Sequence, residues 1–489
     1  MGSPQKKQRV SGGNVSAEVA LLCTAHTTGE AFWREHVSRR RPAKFDGLIA
    51  DPSWQGSKWS NAYLREKSGT ETVRVEVLTD GEEERRFGRG RETLMPLSRF
   101  LDHLEDPSSS DKRYYLTTQE LSHDLEDRPS VCSPPVTQLH GDFPWCPALC
   151  GHLVLQNANI WFGSSTAPTS SGLHHDYHDN LYLLLRGTKH VTLFPPESHA
   201  SMYTHGSLAR LHPNGRINYV GALTNADGSH VLACAARDTA SRLEGLGRAL
   251  QQVQEAGGAT VGGASAEEIE AEMEREMEAM LEAEMEGEEE GREEGDGWEG
   301  DEEGEEEGDE GGNGGGEDED EEEEEEGSLV PSSMTRAIAQ AVGAATTSSA
   351  SAISSCSSSS CSSSSSSSST TTSAAPPNFS RVDTSLPLPD LERSFPLYAA
   401  LLALPPSAGG PLRVTLEAGQ MLYIPAGWFH EVKSEGGGSE GHLAFNYWFH
   451  PPDALGEGCF ARPYTSDFWR RDWESRGMRD GEVTMTDSS

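Results

Sequence analysis

The sequence predicts a mostly β fold with flanking helices. The expected architecture is a double-stranded β-helix, a jelly-roll or cupin barrel, carrying a long helical and disordered insertion. Three observations predict it. Short segments of alternating apolar and polar residues crowd into 151–221 and again into 377–455. A stretch of very different composition, 222–376, separates the two blocks. A His-x-Asp pair in the first block is answered by a histidine in the second. Many short strands joined by turns mark antiparallel barrels.

Residues 1–15 hold a small basic cluster, Lys6, Lys7 and Arg9, and are expected to be disordered. Residues 16–150 read as mixed α/β. Glu30 to Arg40 has helical character and ends before Pro42. Trp54, Trp59, Tyr63 and Leu64 suggest a short aromatic-rich helix. Val73 to Val77 alternates with period two and reads as a strand, as does Arg113 to Leu116. In the first barrel half, strands are expected at Leu153–Phe162, Asn180–Leu185 and His190–Phe194. The last stops at Pro195-Pro196, and Arg186-Gly187 makes a turn. The second half offers Leu412–Leu416, Gln420–Ile424, Glu431-Val432 and His442–Phe449. The extension 456–489, with Phe468, Trp469 and Trp473, suggests a helix that covers the barrel or makes a dimer contact.

The insertion has two parts. Within 222–286, Leu243, Leu246, Leu250 and Val253 recur at helical spacing. Ser265 to Glu268 then has the pattern of a capping box. Ile269, Met273, Met277, Met280, Leu281 and Met285 follow on one face, so two helices are expected, arranged as a hairpin. Within 287–376 the chain is first Glu/Asp/Gly-rich and then nearly all Ser and Thr. Such stretches bury too little apolar surface to offset ordering entropy. A long insertion in one loop is tolerable because closure entropy grows slowly with loop length.

Composition narrows the function. Between Val261 and Val330 there are 35 Asp and Glu against two Arg, so this segment carries most of the net charge of −40. The acidity is local and argues against direct nucleic-acid binding, which needs a basic surface. The eight cysteines include no C-x-x-C pair, which points to free thiols rather than a zinc site. No stretch approaches a membrane span and no apolar leader is evident, so the nucleus or cytoplasm is expected. Oligomeric state is not legible.

The chemistry rests on His174, Asp176 and His430. On a strand, residues two apart share a face, so His174 and Asp176 would point into the barrel while His175 points away. His430 follows Pro425-Ala426-Gly427, a turn that would deliver it to the barrel mouth. Two imidazoles and one carboxylate can hold one face of an octahedral metal and leave three positions open, the facial triad of non-haem Fe(II) oxygenases. His178 and Asp179 are rival ligands. Trp161, Tyr182, Phe194 and Trp448 read as core aromatics.

Several stretches carry a family resemblance: Ile160-Trp161-Phe162-Gly163, Gly172 to Pro196, Ala418 to Val432 and Asn446-Tyr447-Trp448-Phe449. Upstream, Arg41-Pro42, Lys58-Trp59 and Tyr114-Tyr115-Leu116 agree as well. Together they resemble the JmjC Fe(II)/2-oxoglutarate oxygenases, nearest in pattern to the small JmjC protein hydroxylases. The likeness covers about 18–220 and 377–470. It implies His174, Asp176 and His430 as iron ligands and Lys189 as the cation for the distal carboxylate of 2-oxoglutarate. A dianion in a partly dry barrel needs such a charge-assisted partner. The likeness also places Ser171, Tyr115, Asn180 and Asn446 near the co-substrate, with Ser standing where the family often has Thr.

The implied activity uses Fe(II), 2-oxoglutarate and dioxygen. It hydroxylates a protein or peptide side chain and releases succinate and carbon dioxide. An N-methyl-lysine or -arginine demethylase would use the same residues. In a reading of another class, the chain is an inactive cupin scaffold whose acidic tract binds basic proteins such as histones or ribosomal proteins.

Overall fold

The computed structural model describes residues 19–79, 91–106, 112–123, 129–163, 165–255, 265–278, 375–436 and 440–476, with short pieces at 478–479 and 482–483. The expectations for 1–15 and for the acidic and serine-rich stretch up to 374 lie outside the described residues. Two units are distinguished, Met1–His230 with Ala350–Ser489, and Val231–Ser349.

The first unit is built on two sheets. Its strands in chain order are β1 Ala20–Cys23, β2 Ala43–Asp46, β3 Thr72–Thr79, β4 Arg91–Pro96, β5 Lys112–Leu116, β6 Leu155–Gly163, β7 Ser165–Ser170, β8 His174–His175, β9 Asp179–Arg186 and β10 Thr188–Phe194. After the small pair β11 Leu208–Leu211 and β12 Ile217–Tyr219 come β13 Leu412–Glu417, β14 Gln420–Ile424, β15 Phe429–Gly436 and β16 His442–Phe449. The large sheet runs β1-β2-β14-β9-β16-β6-β5-β3-β4. The smaller runs β13-β10-β15-β7, with β8 added on β15.

Alternation decides which side chains face the barrel. On β9, Tyr182 and Leu184 join the cluster between the sheets, with Val191, Leu193, Leu422 and Ala444. Leu181 and Leu183 face the other way, into a larger core with Phe32, Phe45, Phe445 and Tyr447. The central strands are buried on both faces, so they read as continuous apolar runs. A third cluster, with Phe194, Tyr219, Tyr398 and Phe429, lies on the outer face of the smaller sheet.

Most expected elements form. The Glu30–Arg40 helix is a short α-turn, Gly29–Phe32, continued by a π-turn over Trp33–Val37. The aromatic helix spans Asn61–Ser68, after Trp54 and Trp59 rather than through them. The C-terminal helix Phe468–Ser475 buries Phe468, Trp469 and Trp473. Every described cysteine is a free thiol. No helix among the described residues is long and apolar enough to cross a membrane.

In the second unit, a helix spans Val231–Glu255 and another covers 266–278. Ser265 and Glu268 make the reciprocal capping bonds, Glu268 N to Ser265 Oγ at 3.3 Å and Ser265 N to Glu268 Oε2 at 2.8 Å. Val253 and Ile269 are buried, and Arg242 pairs with Glu276 at 2.9 Å. Met280, Leu281 and Met285 lie outside the described residues.

One buried ion pair ties the first unit together. Asp179 is fully buried at the start of β9. Both its oxygens accept from the Arg40 guanidinium, one at 2.7 Å. Tyr423 Oη donates to it at 2.6 Å and Ala426 N at 2.9 Å. Replacing Arg40 by Met should strand that carboxylate and lower the unfolding free energy by about 3–5 kcal/mol. Urea unfolding of the two proteins at neutral pH measures this, and a loss below about 1 kcal/mol would refute it.

Candidate metal centre

The centre begins with strand register. β8 pairs antiparallel with β15, setting His174 directly opposite His430. Their rings lie 4.4 Å apart, centroid to centroid. His174 Nδ1 is 3.0 Å from Gly172 O, and His430 Nδ1 is 2.9 Å from Trp428 O. A carbonyl only accepts, so each Nδ1 carries a proton, and in the neutral tautomer that this selects, the lone pair is on Nε2. Those Nε2 atoms lie 3.9 and 3.8 Å from the two oxygens of Asp176.

Asp176 corrects one expectation. The strand ends at His175, and the carboxylate follows in an irregular turn. Its place is set across the chain: Gly427 N donates to Asp176 O at 2.9 Å. Gly427 has φ +79, and a Cβ there would lie 1.8 Å from Gly215 O, so glycine is required. The turn before His430 is therefore pinned to Asp176 through Gly427 and to Asp179 through Ala426.

The three ligand atoms all lie within 4.8 Å of one another. Burial, then the nearby His430, pushes the His174 imidazole down to about 4, so it is neutral and able to ligate at physiological pH. Burial raises the Asp176 carboxyl. Electrostatic interaction with His430 and His174, with hydrogen bonds from Asn180 and Trp448, outweighs that and holds it below its ordinary value. The side chains of His174 and Asp176 are 14 and 12 % exposed and that of His430 4 %, so a small ligand can reach them. Two imidazole nitrogens and one carboxylate on one side of a cavity suit a divalent metal with open positions.

Behind Asp176 runs a directed chain of hydrogen bonds. Trp161 Nε1 donates to Asn446 Oδ1 at 2.8 Å. Asn446 Nδ2 donates to Asn180 Oδ1, and Asn180 Nδ2 to Asp176 Oδ2, each at 3.0 Å. An indole only donates and a carboxylate only accepts, which fixes both amide orientations. Trp448 Nε1 also donates to Asp176 Oδ2, at 3.2 Å. Trp161 and Trp448 are thus part of the site and not core aromatics alone. Tyr182 and Phe194 are core residues.

Neither rival ligand joins the triad. Asp179 is held by Arg40, and His178 packs with Trp448 and His450. Phe379 stacks on the His174 ring, centroids 4.8 Å apart, a contact no sequence spacing announces.

Lys189 lies deeper. It faces inward on β10, opposite Ser434 of β15. Its side chain is fully buried, donating to Ser434 Oγ at 2.5 Å and lying 3.2 Å from His442 Nδ1. The Tyr115 ring is 6.0 Å from Nζ. No carboxylate pairs with it among the described residues, and burial pushes the ammonium down to about 7. Ser171 Oγ bonds Gly172 O and Val432 N, both at 3.0 Å, so that hydroxyl is taken up by the backbone. Nearer Lys189 by register is Thr169, which pairs with Ser434; the buried Thr169 Oγ1 has no partner among the described residues.

A family model described as "Cupin-like domain" matches residues 29–454. The JmjC domain-containing protein 4 of Schizosaccharomyces pombe is 30% identical over 477 residues, 93% of this chain and 88% of that one. This chain belongs to the cupin-like JmjC-domain family. The human protein named bifunctional peptidase and (3S)-lysyl hydroxylase JMJD7 is 31% identical over 170 residues, 34% of this chain and 51% of its own. The Arabidopsis thaliana lysine-specific demethylase JMJ30 is 28% identical over 175 residues, 34% of this chain and 35% of its own.

In this JmjC-domain chain, Trp448 acts on the triad only through Asp176. Partners that orient a metal ligand typically account for about 10–100-fold in metal affinity. Trp448→Phe should weaken Co(II) binding by about that factor while the fold persists. Titration followed by the cobalt d–d bands measures it; an unchanged affinity would separate the indole from the metal site.

Proposed function

We propose that this chain is an Fe(II)- and 2-oxoglutarate-dependent dioxygenase that hydroxylates a protein side chain. The observation that carries the proposal is a converging His174, Asp176 and His430 set in the same barrel as a fully buried lysine with no carboxylate partner among the described residues. A buried cation without an anion is unfavourable, and a dianionic co-substrate would supply the missing charge.

His174 Nε2, His430 Nε2 and an Asp176 oxygen would hold the metal, and Lys189 the distal carboxylate. When bound, iron and 2-oxoglutarate supply oxidative decarboxylation by dioxygen, with succinate and carbon dioxide released and one oxygen atom inserted into a substrate C–H bond. The protein's part is positional. The Gly172 and Trp428 carbonyls aim the imidazoles. The Asn446–Asn180 relay and Trp448 keep Asp176 ionised and oriented. The apolar strands around the site limit water.

Among the relatives, one is named a lysyl hydroxylase and another a lysine-specific demethylase. Lysine is therefore the first target side chain to test. Peptide mass spectrometry separates the outcomes, since hydroxylation adds one oxygen and demethylation removes a methyl group.

The purified protein should release succinate from 2-oxoglutarate with Fe(II) and ascorbate. A double variant, His174→Ala with Asp176→Ala, should lose this release. If the two proteins are indistinguishable and 2-oxoglutarate does not bind, the oxygenase reading is abandoned for the scaffold.

Lys189 gives a pH signature. In the free protein its amine is largely neutral above about pH 7, yet the bound dianion requires the ammonium. Binding above that pH should take up a proton, and affinity should fall by up to about tenfold per pH unit. Calorimetry at pH 8 in buffers of different ionisation enthalpy reports the uptake. Equal enthalpies across buffers would refute it.

A further inference from the structure

His442 opens β16 and is completely buried. Glycines make its place. A Cβ at Gly163, its partner on β6, would come 3.3 Å from His442 Cε1 and 2.6 Å from the Tyr115 ring. A Cβ at Gly187, where φ is +83, would lie 2.7 Å from His442 Cβ. The fold thus leaves side chains out on β6 and in the β9–β10 turn, where an imidazole lies beside Lys189.

The hydrogen bonding fixes the tautomer. His442 Nδ1 lies 3.2 Å from Lys189 Nζ. In the ammonium form that a bound dianion requires, Lys189 only donates, so Nδ1 accepts and the proton of the neutral ring sits on Nε2. That Nε2 is buried and has no hydrogen-bond partner among the described residues. Thr169 Oγ1, opposite the serine that takes the other Lys189 bond, is also buried without one. Burial and the Lys189 charge both keep the imidazole uncharged. A buried cation with no carboxylate partner, beside a buried N–H with no acceptor among the described residues, forms a receptor that lacks its anion.

We propose that His442 and Lys189 together bind the distal carboxylate of the 2-oxo acid co-substrate. His442 orients the ammonium through Nδ1 and donates its Nε2–H to a carboxylate oxygen. This rests on the co-substrate reading above and assigns it a second anchoring residue.

Binding to the Mn(II)-loaded full chain tests it without turnover, with 2-oxoglutarate and pyruvate as probes. Pyruvate keeps the 2-oxo acid end and lacks the distal carboxylate. His442→Phe should weaken 2-oxoglutarate binding by about tenfold or more and leave pyruvate and Mn(II) binding unchanged. His442→Gln, which restores a donor and an acceptor, should recover part of the loss. If 2-oxoglutarate fails to bind the unaltered chain, the co-substrate reading falls, and this inference with it. If it binds, and Lys189→Met abolishes binding while His442→Phe does not weaken it, the His442 assignment alone is overturned.

Should His442→Phe unfold, the unaltered chain still decides. With ¹⁵N-labelled histidine and the diamagnetic Zn(II) form, the His442 Nε2–H resonance should shift with 2-oxoglutarate and stay put with pyruvate. A resonance that ignores both, as for an N–H bonded only to water, overturns the proposal.

Discussion

A carboxylate removed from water is tolerable only when a cation and hydrogen-bond donors replace its hydration. Asp179 meets that demand with three partners from two distant segments: Arg40 after the first helix, and Tyr423 on β14 with Ala426 in the turn beyond it. The metal centre inherits its geometry from this arrangement. Asp176 stands three residues before Asp179, and His430 four after Ala426. Arg40 itself adopts φ +53, and its carbonyl accepts from Trp428 Nε1, so the same residue reaches both sides of the turn. Side-chain charge thus does what backbone pairing alone does not: it sets the height of one strand end against the turn that delivers the last ligand.

Register supplies the rest. The smaller sheet stacks three inward pairs along β10 and β15: Leu193 with His430, Val191 with Val432, and Lys189 with Ser434. The metal-binding end and the cationic end therefore belong to one ladder with an apolar rung between them. A slip of one residue would turn every one of these side chains to the other face. The opposite wall, from β9 and β16, contributes amides and indoles rather than ligands.

The two ends differ in what they lack. At the triad, carbonyls and the Asn relay satisfy every proton that does not face the cavity, which leaves lone pairs pointing inward. At Lys189 the surplus is of donors, with no carboxylate paired to it among the described residues. A metal suits the first and an anion the second, so the polarity of the cavity runs along its length.

By itself the sequence determined the local pattern. Alternation located β10, and apolar runs bounded by turns located β9, β14 and β16, each to within a few residues. The capping box at Ser265, the stop at Pro195 and the turn at Gly427 were legible because each is a property of consecutive residues. The triad was legible through spacing and through its family resemblance. Tertiary structure decided what spacing cannot carry. It put Asp176 off the strand and bound Arg40 to a residue 139 positions away. It drew Trp161 and Trp448 out of the core and into the Asp176 network, and gave Lys189 a histidine neighbour 253 positions on. Each of these depends on segments far apart in the chain that only the folded barrel brings together. Residue type states what a side chain can donate or accept; the fold alone states to whom.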